Sequence, residues 1–265
     1  MLRANGLTGA VYAEPYCGGA GAALWLLANR HVSRIEINDI DPAVAAFWRC
    51  AVHRSCEMVR IIDRTRVTID EWHRQREILA RGADCPDLEL GFAALFLNRT
   101  NHSGIIRGGP IGGQAQAGGL RLDIRFDKRE IIQRVEQLGR MSDRIRVHQF
   151  DALDFVSMAI PSMGPYSLTY LDPPYYHRAG GLYRHRYGPV DHAEIAERIR
   201  TIRHPWIVTY DRCPEIRKLY AGIDSLDYSL SSHAGAGCGT SCETAIYRHM
   251  VLAGRPPVDG RAVRH

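Results

Sequence analysis

An α/β domain with a mainly parallel sheet, carrying an inserted segment of helix and loop, is the fold this sequence predicts. Three observations support it. Short runs of β-branched and aromatic residues alternate with amphipathic helical patterns, as strand–helix–strand units require. That alternation breaks down from about Ser55 to Asp127, an interval far longer than an ordinary connection. A chain of 265 residues, 45% hydrophobic and 24% charged, can bury a substantial core, as one large domain or as one domain carrying an insertion.

The first strand, AVYAEP, starts at Ala10 and runs into the glycine turn CGGAG, which opens the helical pattern GAALWLLANR. The second, RIEIND, ends in Asp39, which Ile40 and Asp41 follow. Pro42 then begins the helix PAVAAFWRCAVHRS, and Asp41 directly before it is the better cap. Beyond the interval come the helix REIIQRVEQLG and the strands RIRVHQF and SLTYLD. The helix HAEIAERIRTI, the strand PWIVTY, the helix CPEIRKLY and the strand ETAIYRHMVL complete the order. Asp191 followed by Glu194 fits a capping box for the first of these helices. The core is therefore expected in residues 1–54 and 128–265, the insertion in 55–127, and a mobile end in GRPPVDGRAVRH.

Composition narrows the function. No run of roughly 18 apolar residues could span a membrane. The start MLRANGLTGAVYAEP lacks a signal-peptide layout, and seven scattered cysteines suit reduced thiols, so a cytoplasmic protein is expected. His233, Cys238 and Cys242 have no second pair at zinc-like spacing, so no metal is expected. The net charge is +5, and from Asn98 to Arg134 seven basic residues face three acids, a difference of four. The excess is concentrated around the glycine-rich GIIRGGPIGGQAQAGGLR, where it permits nucleic-acid binding.

Two places have the pattern of a site. The turn after the first strand lets backbone approach a ligand at a helix N-terminus, and Asp39 at the tip of the second strand is where nucleoside-binding sheets hold a ribose. Together they predict a nucleoside-type cofactor. The second place is YLDPPYY. Prolines fix φ and withhold N–H donors, so the corner after Asp172 is rigid and its carbonyls stay available. A carboxylate beside such a carbonyl can accept both hydrogens of an exocyclic amine, and Tyr175 offers a face for a planar base.

The motifs EPYCGGAG, NDID, LFLNRTNHSG, FDALDF, YLDPPYY, VTYDRCPEIRKLY and YSLSSHAGAGCGTSCETAIYR span roughly residues 12–250. In this order the chain resembles a Dam-like N6-adenine DNA methyltransferase of the alpha group. The resemblance implies a Rossmann-like methyltransferase sheet with an inserted target-recognition subdomain, and methyl transfer from S-adenosylmethionine to N6 of an adenine flipped out of double-stranded DNA. It implies that Tyr12, Glu14, Pro15, Cys17, Gly18, Gly19, Gly21, Asp39, Ile40, Asp151, Ala152 and Asp172 line the cofactor. Asp172, Pro173, Pro174 and Tyr175 would form the catalytic corner, while Asn98, Arg99, Asn101, Ser103, Arg107 and Arg125 would contact DNA. The glycine-rich loop would order when DNA arrives. A cognate restriction endonuclease is a partner consistent with the resemblance, as is a place on the nucleoid.

Two features depart from the family's pattern. Family members usually carry a glycine–lysine segment before the first strand, and no lysine precedes Tyr12 here. The loop GGPIGGQAQAGG does not match GATC-recognising members, so GATC is not implied. From the residues themselves two other readings stay open: the same chemistry on an RNA adenine or on N4 of cytosine, and a silent nucleic-acid-binding module.

Overall fold

The computed structural model describes residues 1–177, 187–232 and 239–252, with backbone alone at 230–232 and 239–241. His233, Cys238, the middle of the late motif and the C-terminal tail lie outside them. The chain divides into two compact units, Met1–Asn38 with Phe150–His265 and Asp39–Gln149.

In the first unit, numbering along the chain, are β1 (Ala10–Glu14), α1 (Gly21–Ala28), β2 (Val32–Asn38), the single turn α7 (Ala152–Asp154), β4 (Ser167–Leu171), α8 (Pro189–Arg200), β5 (Trp206–Asp211), α9 (Pro214–Leu219), β6 (Asp224–Ser232) and β7 (Gly239–Arg248). Its strands follow the hydrogen-bonded order β2-β1-β4-β5-β7-β6. β1 pairs in parallel with β2 and β4, and β4 in parallel with β5, whereas β7 runs antiparallel to both β5 and β6. Strands buried on both faces must be apolar throughout, and β5 (WIVTYD) is buried at every position but its last. Against them pack Phe155, Val156, Ile195 and Ile199.

Three expectations are corrected here. The strand β6, DSLDYSLSS, was not foreseen; among the described residues it pairs with β7 alone, and an edge position lets polar residues alternate where a central strand could not. The final strand ends at Arg248, so HMVL falls outside it. Asp191 does not open α8 but sits at its third position. The helix starts at Pro189, whose fixed φ suits a first helical residue, and Asp191 accepts the Gly188 N–H at 2.7 Å.

The second unit holds α2 (Pro42–His53), α3 (Ser55–Arg64), α4 (Ile69–Arg81), α5 (Asp87–Thr100), α6 (Lys128–Arg140) and β3 (Ile145–His148). Its core gathers Met58, Ile62, Trp72, Phe92, Phe96, Phe126 and Val135. Helix α5 is buried along most of its length because Gly91 lets it meet α2 closely: a Cβ there would lie 2.8 Å from Ala46 backbone.

Candidate active site

In open parallel sheets, ligands bind outside the carboxyl ends of the strands where the winding direction reverses. That point lies beside β1. The chain passes through α1 to β2 on one side of it, while β4 pairs on the other, with Ala13 opposite Thr169. The glycine turn and the Asp172 corner therefore leave the sheet from neighbouring strand ends.

After β1 the backbone takes left-handed values at Gly18 (φ 44°) and again at Ala20 (φ 46°), which starts α1 within a few residues. Only glycine adopts that region freely; an alanine there costs about 1 kcal/mol. Gly18, Gly19 and Gly21 are exposed, and no heavy atom lies within 4 Å of where a Cβ would stand. This is open backbone that a ligand can approach. Tyr12, Glu14, Pro15 and Cys17 are buried beneath it. Glu14 Oε1 accepts the Tyr12 hydroxyl at 2.9 Å and the Ala23 amide of the first turn of α1 at 3.0 Å. Burial nevertheless pushes the Glu14 carboxyl up to about 7, against these two bonds, which lower it.

Asn38, 1% exposed, connects the pieces. Its Nδ2 donates to the Pro15 carbonyl (2.9 Å) and the Phe150 carbonyl (3.1 Å), its Oδ1 accepts the Phe150 amide (2.8 Å), and its own carbonyl accepts the Cys17 amide (2.9 Å). One side chain thus sets the glycine turn against the segment that leads into Asp151 and the buried Ala152. Asp151 Oδ1 caps α7 through the Leu153 amide at 2.8 Å.

At the second corner Asp172 is exposed, while Pro173 and Pro174 are buried. Asp172 Oδ1 accepts the Thr209 hydroxyl at 2.9 Å, and Tyr170 shares that hydroxyl at 3.0 Å. Partial withdrawal from water raises the Asp172 pKa, the Thr209 bond lowers it, and the nearby Glu243 charge raises it again. The Tyr175 hydroxyl donates to Glu243 Oε1 at 3.0 Å, and Tyr228 donates to Glu243 Oε2 at 2.8 Å. Asp211, ending β5, accepts the amides of Tyr176 (2.9 Å) and His177 (3.4 Å). The corner is held from below at its acid, its ring and its backbone.

In the second unit Asp39 Oδ1 accepts the Asp41 amide at 2.9 Å, and Asp41 caps α2 through Ala43 at 2.9 Å. Ile40 beside them is half-buried. Arg107 lies 3.3 Å from Asp41, and Ser103 is exposed with a left-handed φ of 55°. Asn98 donates to the Gly104 carbonyl (2.8 Å) and Arg125 to the Asn101 carbonyl (3.2 Å). Arg99 is half-buried, and burial lowers its pKa. Asn101 is set apart from these: it is fully buried, accepts Trp72 Nε1 at 2.6 Å and donates to the carbonyls of Ile105 and Ile106, each at 2.9 Å. It holds the loop. The glycine-rich segment is laced by its own bonds, among them Gln116 to the Ile111 carbonyl at 2.8 Å.

Sequence reasoning missed Asn38, Thr209, Asp211, Tyr228 and Glu243. Asn38 sat in plain view within the NDID motif, and Thr209 and Asp211 within VTYD; only the pairing of strands assigns them partners. Among the described residues, ligand atoms of His177, Cys213 and Glu215 lie within 4.8 Å of one another, and burial raises the Cys213 thiol, which opposes the thiolate a metal needs. No helix of the described residues is long and apolar enough to cross a membrane.

No curated protein matches the chain. Among solved structures, an rRNA methyltransferase, aviRa from Streptomyces viridochromogenes, is 14% identical, with 92% of this chain and 80% of that one covered at a TM-score of 0.38. A profile of the D12 class N6 adenine-specific DNA methyltransferases matches residues 2–231. With the match running from before β1 into β6, the chain belongs to the D12 class N6 adenine-specific DNA methyltransferase family.

Proposed function

We propose that this enzyme transfers a methyl group from S-adenosylmethionine to N6 of an adenine turned out of double-stranded DNA. The observation that carries the proposal is the Asp172 corner: an exposed carboxylate fixed through one oxygen, followed by two buried prolines and an anchored tyrosine. Asp172 Oδ2 and the Pro173 carbonyl accept the two hydrogens of the amine and orient its nitrogen, with Pro174 stiffening the turn. Tyr175 stacks on the base. Turning the base out costs roughly a few kcal/mol, which stacking and edge contacts offset. The raised pKa of Asp172 makes it a better proton acceptor than an ordinary carboxylate as the amine sheds its extra proton.

The open glycine backbone fits a nucleoside cofactor, and S-adenosylmethionine, when bound, supplies a methyl made electrophilic by a positive sulfur. Tyr12, Glu14, Pro15, Cys17, Gly18, Gly19 and Gly21 hold it along the turn. Asp39 takes the ribose, with Ile40 packing beside it, and Asp151 with Ala152 meets the adenine edge. Each aspartate uses Oδ1 for a local amide, which orients its second oxygen. Residues 55–127 are the target-recognition segment, in which Arg99, Arg107 and Arg125 meet phosphates or guanine edges, Asn98 and Ser103 contact backbone, and Asn101 positions them.

Incubating the protein with labelled cofactor and duplex DNA, then digesting to nucleosides and identifying the base by mass, tests the proposal. The expected product is N6-methyladenine, abolished by Asp172→Ala while DNA binding largely remains. N4-methylcytosine, or full activity of the variant, would overturn it.

A further inference from the structure

We propose that Glu243 is a positioning residue for the transfer: its carboxylate locks the Tyr175 ring in place before a base arrives. This rests on the reading of Tyr175 as the stacking face. Glu243 is 9% exposed and lies on β7, which pairs with a strand on each side. Directly across from it stand Asp211 on β5 and Tyr228 on β6. Residues opposite one another in antiparallel strands project from the same face, so β5 and β7 set two acids side by side, an arrangement that repulsion disfavours. Both acids are directed at the same short segment. Asp211 binds the amides of Tyr176 and His177, and Glu243 binds the hydroxyl of Tyr175. The second oxygen of Glu243 accepts Tyr228, so the carboxylate is itself fixed and cannot swing with the ring it holds.

A tyrosine beyond a proline turn pivots about its side-chain bonds, and a bond at the phenol tip stops that motion. Ordering one such side chain in advance spares an entropy cost when the base docks. A misplaced platform moves the amine relative to Asp172, where small displacements are expensive in rate. The defect should therefore appear in turnover more than in affinity for the cofactor.

The test compares Glu243→Leu, which keeps the bulk and removes the acceptor, with Tyr175→Phe, the double variant and Tyr228→Phe in full-length protein, on duplex DNA carrying the target site found by mapping modified adenines. Melting temperature and the KM for S-adenosylmethionine are measured alongside kcat. Each of the first two variants should lower kcat about tenfold with that KM within about twofold. The double variant should be no worse than the poorer single one, because both remove the same bond. Tyr228→Phe should cost about threefold, since the carboxylate loses one of its two restraints. Should Glu243→Leu fail to fold, Tyr175→Phe, which keeps its ring, carries the same expectation. Wild-type kcat in either variant, or effects that multiply in the double, overturns the assignment alone. Absence of adenine methylation by the unaltered protein overturns the functional reading and this assignment with it.

Discussion

Thr209 Oγ1 stands 2.9 Å from Asp172 Oδ1 and, with Asp172 ionised, donates its only proton there. Tyr170 must then donate to Thr209 across their 3.0 Å contact, so two hydroxyls in series orient the carboxylate from below. Thr209→Val keeps the shape and cuts the chain. The half-buried Tyr170 hydroxyl is left without its partner, a loss of about 1 kcal/mol in stability. More telling is the pH profile. The Thr209 bond lowers the Asp172 pKa, so its removal should move the acid limb of kcat to higher pH and reduce maximal turnover about tenfold. Thr209→Ser should restore both. An acid limb unmoved in the valine variant would show that the contact does not govern Asp172.

Asn38 gives a second prediction. Asn38→Ala strands the buried Pro15 carbonyl and the half-buried carbonyl and amide of Phe150, which should cost about 2–3 kcal/mol in urea denaturation. Asn38→Asp keeps the acceptor for the Phe150 amide but points a carboxylate at the Pro15 and Phe150 carbonyls. It should be no more stable than the alanine variant at neutral pH, and should gain stability on acidification, when the protonated acid can donate. A pH-independent aspartate variant would contradict this.

Much of the fold could be read from the sequence because its signals are local. The glycine turn, the Asp41-Pro42 cap and the apolar strands each declare themselves within a few residues, and the structure places β1, β2, β4 and β5 where those runs stand. The strand β6 stayed hidden because DSLDYSLSS looks like a loop until β7 pairs with it. The acids and hydroxyls beneath Asp172 stayed hidden for a related reason. Thr209 and Glu243 lie 34 residues apart by number, and nothing in either neighbourhood names Asp172 or Tyr175 as a partner. Local pattern revealed the corner that faces outward, and strand register revealed what supports it.

Two glycines separate packing from binding. At Gly91 an added Cβ would meet Ala46 and Phe47 backbone atoms at 2.8 Å, and backbone cannot rotate away. Gly91→Ala should destabilise by about 1–3 kcal/mol, seen as a lower urea midpoint. At Gly19 the same methyl meets nothing within 4 Å, so Gly19→Ala should leave stability within about 0.5 kcal/mol. If the turn cradles the cofactor, that variant should still bind S-adenosylmethionine about tenfold more weakly by calorimetry, because close backbone approach is what the glycine permits. Unchanged affinity would remove Gly19 from the cofactor site.

The last prediction concerns two buried groups whose pH effects oppose one another. His204, 6% exposed and 2.8 Å from the Thr169 hydroxyl, is pushed down by burial to about 4, below its unfolded value of about 6.5. Below pH 6.5 the unfolded chain therefore binds more protons at this site, and the stability His204 contributes above that pH is lost as pH falls towards 4. Glu14 behaves in the opposite sense. Its folded pKa of about 7 lies above the ordinary value of 4.5, so its contribution is fully present below 4.5 and is lost as pH rises through 7. Each effect is on the order of 3 kcal/mol at most. Between pH 4.5 and 6.5 the two largely cancel. Glu14→Gln should therefore become more stable relative to the unaltered protein as pH rises from 4.5 to 7. His204→Gln should lose its relative advantage from pH 4 to 6.5. Urea midpoints measured at several pH values should give difference curves of opposite slope, and two flat difference curves would show that neither site carries the shift its burial implies.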